Sequence, residues 1–172
     1  MPKKRMIIGL VALLGLCVAV ATVSNNRYQA RERLTNSVVL LVTDLDQALR
    51  QDDSGHAVNA EWMVRRIALL ETDYRTIIDV PFQNGIKGGR SFDGLNRLVK
   101  LAFSEDAAAQ KRSTARTCLQ ARIDNCRSML VETPSAQDNV AARYGSWLVP
   151  ALDPQNAVID RLFDALLGDC VE

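Results

Sequence analysis

From Met6 to Val23 the chain carries no charged residue, and Lys3, Lys4 and Arg5 stand directly before that run. Coiled as a helix rising about 1.5 Å per residue, eighteen residues reach roughly 27 Å, close to the hydrocarbon thickness of a bilayer. No other stretch of the sequence constrains the fold as strongly: the first element is predicted to be a helix addressed to a membrane.

A basic start followed by an apolar core describes a retained anchor and a cleavable signal alike. Ala19-Val20-Ala21 has the small residues that a signal peptidase accepts. Against cleavage, the apolar run exceeds the usual 7–15 residues of a signal core, and Thr22-Val23 carries it past the candidate scission site. Retention is the expectation. Leu16 stands before Cys17 where a lipoprotein needs a small residue, so Cys17 reads as a polarizable apolar side chain within the span. Orientation by loop charge is nearly balanced, since Arg27, Arg31 and Arg33 follow the span. The short basic tail before the only apolar run nevertheless favours leaving that tail inside and exporting the rest, with Tyr28 at the interface. The expected organisation is a cytoplasmic tail over 1–5, a transmembrane anchor over 6–24 and an extracytoplasmic domain over 25–172, in a bacterial inner membrane facing the periplasm.

The residues after the span suffice for one domain with a real core. Setting aside Lys3, Lys4 and Arg5 leaves 18 basic against 20 acidic residues, a net charge of −2. Nothing in that balance favours nucleic acid. Arginine dominates the basic residues but is spread through every segment, which reads as solvated helix faces. Abundant alanine and few aromatics suit packed helices better than a sandwich or barrel.

Period supports the same class. Leu34, Val38, Leu41, Leu45 and Ala48 step by four and three on a helix over about 27–50, continuous with the membrane helix. Gln51 to His56 reads as a polar turn. Asn59 can cap a second helix with Glu61 in its first turn, and Met63, Ile67, Leu70, Tyr74 and Ile77 repeat the seam. Pro81 stops that helix by about Val80. Phe82–Phe92 reads as a loop, with a hairpin Ile77–Phe82/Ile86–Phe92 as the alternative. Ser91 or Asp93 would cap a long third helix running to Glu132, with stripes Leu95, Leu98, Val99, Ala102, Phe103 and Leu119, Ile123, Cys126, Leu130; its polar middle, Ser104–Thr117, is either exposed or broken. Pro134 ends it. Ser135 and Asp138 resemble a capping box for a short piece ending near Gly145, and Trp147–Pro150 reads as a packed connector. Asp153 and Pro154 open a last helix carrying Val158, Ile159, Leu162, Phe163, Leu166 and Leu167, closed by Gly168. The expected fold is all-α: an N-terminal transmembrane helix followed by a four- to five-helix bundle.

Residues that carry chemistry are sparse. His56 is the only histidine and lies in a polar turn beside Asp52 and Asp53. The glycines of Gly85-Ile86-Lys87-Gly88-Gly89-Arg90-Ser91 do not have phosphate-loop spacing. That loop is more simply a solvated connection, and Lys87 and Arg90 are its candidate contact residues. The pairs Asp44/Asp46, Asp52/Asp53 and Glu105/Asp106 do not face one another on a helix, so their spacing gives no support to acid–base catalysis. Cys118, Cys126 and Cys170 are disulfide candidates in an oxidising compartment. Eight residues of continuous helix hold Cys118 and Cys126 about 12 Å apart, so that pair needs a turn at Asp124-Asn125; otherwise Cys170 would partner one of them and tie the last helix to the long one. No metal-ligating spacing accompanies them. Neither cofactor nor catalysis is expected, and Trp62 and Trp147 are expected to be packed. The function that remains is a structural or accessory component docking on an envelope partner. Alternatives are a small-ligand or sensory bundle that signals through a partner, since the sequence holds no second span, and a phage-type lysis protein of the spanin kind, which also places helices behind an N-terminal span.

Overall fold

The computed structural model describes residues 2–78, 86–132 and 154–168. Among them the chain forms five helices and no strand. The first, α1 (Pro2–Asp53), is a single helix of 52 residues, about 78 Å long at the standard rise. Neither proline nor glycine occurs between Leu16 and Ser54, so nothing interrupts its hydrogen-bond ladder. Its two halves live in different surroundings. Large apolar side chains from Ile7 to Val18 are 59–68% exposed, an uncovered greasy length that a water-soluble surface does not carry. By length and composition this helix can cross a bilayer.

Cover begins at Ser24, one residue beyond the apolar run, and Arg31 is also buried. From there Leu34, Val38, Leu41, Leu45 and Ala48 form a fully buried stripe. One helix therefore supplies both the candidate anchor and the central strut of the body. It runs to Asp53 rather than stopping at Arg50, and the turn follows: Gly55 has φ 79° and donates to the Asp52 carbonyl at 3.0 Å. That left-handed backbone is where a residue without Cβ costs least.

α2 (Ala60–Ile78) starts as the sequence indicates, because the Asn59 side-chain oxygen accepts the Trp62 N–H at 3.0 Å. Asn59→Ala is expected to cost about 1 kcal/mol, read as a fall of roughly 2–4 °C in the melting temperature of the solubilised chain, whereas Asn59→Asp should keep the cap and the stability. Met63, Ile67, Leu70, Tyr74 and Ile77 are all buried. Ile77 and Ile78 lie in the last turn of α2 and residues 86–92 have no strand pairing, so the described residues do not form the hairpin alternative.

α3 (Asp93–Ala102) takes Phe92, not Ser91 or Asp93, as its cap residue: the Asn96 N–H bonds the Phe92 carbonyl at 3.0 Å, while Ser91 Oγ accepts the Asp93 N–H at 3.2 Å just outside the helix. Burying the Phe92 ring outweighs a better cap. The long third helix is two. α3 ends at Ala102 and α4 spans Ala109–Glu132. Val99 and Leu119, both fully buried, lie 20 residues apart; at 3.6 residues per turn a straight helix would set them about 200° apart, on opposite faces. Breaking the helix at Phe103–Ala108 lets both stripes face one core.

α5 (Pro154–Leu167) closes the described part. Ile159, Leu162, Phe163 and Leu166 are buried, and Val158 and Leu167 are half-buried. Gly168 donates to the Asp164 carbonyl at 2.9 Å, and a Cβ there would lie 2.5 Å from that oxygen, so the close approach requires glycine. α1 packs on α2 and α4, α3 bridges α2 and α4, and α5 lies on α4 with further contact to α1 and α3. At the centre the rings of Tyr74, Phe92 and Phe163 meet edge-on or tilted, with centroids 4.9–6.0 Å apart. The Pro81 stop, the 82–85 part of the Phe82–Phe92 loop, the Pro134–Pro150 readings including Trp147, the Asp153 cap and Cys170 lie outside the described residues.

Candidate functional site

Arginine–carboxylate pairs, placed by the antiparallel register of the helices, set the character of the surface. Ser37 donates to Asp73 at 2.8 Å and Arg66 to Asp44 at 2.9 Å, so seven residues forward on α1 match seven back on α2. This line of polar contacts runs along the outer edge of the α1–α2 pair. Just beyond it, Leu40 and Leu69 stand at the same level, 53% and 58% exposed, and Trp62 lies two turns from Leu69 at 45% exposed. On a helical wheel all three fall on the solvent side of their helix, next to the contacting edge. Trp62 is thus not packed as expected from its size. Its ring instead lies under the Arg66 guanidinium, 5.7 Å from the centroid, a placement that the pairing of Arg66 with Asp44 holds in position.

Of the carboxylates singled out in the sequence, Asp44, Asp46, Asp52 and Asp53 are taken up by arginine. Asp46 is buried and receives both Arg127 nitrogens, at 3.1 and 2.7 Å, and Arg50 Nε at 2.9 Å. Burial pushes its carboxyl up, but the hydrogen bonds and charges of Arg127 and Arg50 outweigh this and hold it below the usual carboxylate range. Arg116 reaches from α4 to Asp52 and Asp53 and so pins the end of α1. The arginines are therefore not simply solvated: Arg31 and Arg122 are buried, Arg66 and Arg116 tie helix to helix, and Arg90 ties a loop to a helix. Spread along the sequence, they converge in space on partners from other helices, which composition does not reveal.

The glycine loop is drawn inward. The Lys87 backbone N–H bonds Asp160 at 3.0 Å and its carbonyl accepts from the Tyr74 hydroxyl, while the Lys87 side chain is exposed. Arg90, 11% exposed, bridges Asp160 at 3.1 Å and Asp164 at 2.8 Å and lies 5.5 Å from the Phe163 ring centre. Of the two candidate contact residues, Lys87 points out and Arg90 fastens the loop to α5. Burial raises the Tyr74 hydroxyl above its ordinary range.

His56 is exposed after the α1 turn, and Glu105 and Asp106 are exposed between α3 and α4. Cys17 is an exposed free cysteine on the apolar length of α1. Cys126 is a buried free cysteine whose sulfur contacts the Leu162 carbonyl at 3.7 Å, so the Cys118–Cys126 pairing does not form: α4 passes Asp124-Asn125 without the turn it would need. Among the described residues, no group of three or more His, Cys, Asp or Glu side chains is placed to hold a metal ion. Sequence reasoning missed the seam of Leu40, Leu69 and Trp62. Leu40 and Leu69 do fall outside the four-three stripes, which was the available signal.

Comparison with protein-family models, characterised proteins and solved structures finds no match to this chain.

Proposed function

We propose that this chain is a single-pass protein of a bacterial inner membrane, retained by residues 6–24, whose helical body stands in the periplasm and docks on a second, helical subunit of an envelope complex. It serves there as a structural or accessory component. The observation that carries this reading is the uninterrupted α1, which is apolar and uncovered up to Val23 and then enters the core directly. A body built on that helix sits against the bilayer without a flexible tether. The Lys3-Lys4-Arg5 tail supports leaving the N-terminus in the cytoplasm. The carboxylates engaged by arginine support recognition rather than catalysis.

Leu40, Leu69 and Trp62 are the contact surface in this reading. Three large apolar side chains along one edge, bordered by polar contacts, have the apolar centre and polar rim of a protein interface. A partner anchored in the same membrane can run beside α1 and lay an apolar helical stripe along that edge. Photoreactive residues placed at Leu40 or Leu69 in living cells should trap one adduct of defined mass, absent when the probe sits at the exposed Glu105. Equal or no trapping at all three positions would contradict the surface, and an adduct with the mass of two copies would make it a self-association face instead.

A further inference from the structure

Two exposed arginines stand on the outer edge that carries Leu40, Leu69 and Trp62. Arg33 lies two turns before Leu40 on α1, and Arg65 lies one turn from both Leu69 and Trp62 on α2. Among the described residues, neither makes an ion pair or a hydrogen bond. The register fixed by Ser37 with Asp73 and by Arg66 with Asp44 sets Arg65 level with Leu45 of α1. From Arg33 to that level is about 18 Å of helix. Leu40 and Leu69 fall between the two arginines, and Trp62 stands just beyond Arg65. The carboxylates on the same edge are engaged, Asp44 by Arg66 and Asp73 by Ser37. Exposed Glu32 and Glu61 lie about 80–100° round their helices from the three apolar side chains. The apolar edge is therefore bracketed by two unpaired positive charges.

Resting on the contact surface described above, we propose that its occupant is a helix of a different chain whose apolar stripe is flanked by two carboxylates about three turns apart, one for Arg33 and one for Arg65. A helix lying along α1 with its stripe on Leu40 and Leu69 places residues about 11 positions apart at the two arginine levels. Arginine at such rim positions selects a carboxylate by its planar pair of donors and rejects a cation. A second copy of this chain meets the opposite situation. Two copies anchored in one membrane share an orientation, so the axis of a closed pair runs along the membrane normal and each residue stands level with its own counterpart. Arg33 then opposes Arg33 and Arg65 opposes Arg65. The two charges thus work against self-association as well as for the acidic partner.

The test uses the full chain in living cells with a photoreactive residue at Leu40. Arg33→Glu together with Arg65→Glu should lower the yield of the adduct about tenfold. Arg97→Glu, at an exposed position on α3, should leave it unchanged. All three positions are exposed, so the solubilised variants should melt within about 2 °C of the parent chain. Mass spectrometry of the trapped peptide should find two Asp or Glu residues about 11 positions apart on a helical sequence. Changing those two residues to Arg in the partner should restore the adduct with the doubly reversed chain. An adduct undiminished by the double reversal, a trapped helix without the two carboxylates, or a failure of the exchanged charges to restore trapping would overturn the proposal while leaving the contact surface standing. An adduct made of two copies would overturn it as well. No adduct at Leu40 with both arginines in place would overturn the surface and the proposal together.

Discussion

Phe163→Ala is expected to lower the stability of the helical body by about 3–5 kcal/mol, a fall on the order of 10 °C in melting temperature for a chain of this size. Phe163 is fully buried and its ring contacts Tyr74 of α2 and Phe92 at the start of α3, with the Arg90 guanidinium 5.5 Å from its centre. Removing it empties a site where four segments meet, and a helix-built core relaxes into such a void only in part. Phe163→Leu keeps most of the volume and should cost about 1 kcal/mol. Thermal unfolding of the solubilised chain, followed by circular dichroism, reads both. Equal small losses for Ala and Leu would mean that α5 is not a member of the core.

The second large effect is expected at Arg90. Its guanidinium bridges Asp160 and Asp164, and Asp160 also holds the Lys87 N–H. Arg90→Met keeps much of the side-chain volume but leaves the buried Asp160 carboxylate without its cation, a loss of about 3 kcal/mol. Adding Asp160→Asn to that variant removes the orphaned charge and should restore part of the stability. A double variant no more stable than the single one would show that the pair does not act as a unit. The same substitution at Arg75, whose pairing with Glu71 lies within one exposed turn of α2, should change stability by less than about 0.5 kcal/mol. The contrast matters because residue type alone does not separate these two arginines.

What could be read from the sequence was whatever repeats with the helix period. The stripes at Leu34–Ala48 and Met63–Ile77 are buried residue for residue, the Asn59 cap is made, and Pro154 begins α5, because each depends on neighbours within a turn or two. The break after Ala102 was legible in principle from the phase of Val99 against Leu119, but two acceptable stripes in a proline-free stretch masked it. Trp62 is exposed because its position on α2 lies past the edge that contacts α1; size alone argues for burial, and position overrules it. The arginine ties were out of reach: Arg127 with Asp46 and Arg116 with Asp52 join residues far apart in sequence, and only the register of packed helices brings them together. The seam was hidden for the same reason, since Leu40 and Leu69 become neighbours only once α1 and α2 lie antiparallel.

The proposed placement at the membrane depends on α1 remaining one piece, with its apolar end held in lipid and its other end in the core. The most direct test is to extract cell membranes with alkaline carbonate and to determine the N-terminal sequence of the chain in each fraction. An intact N-terminus beginning at Met1 or Pro2, in the carbonate-resistant fraction, is the predicted result. A chain beginning at Thr22 and recovered in the soluble fraction would contradict it.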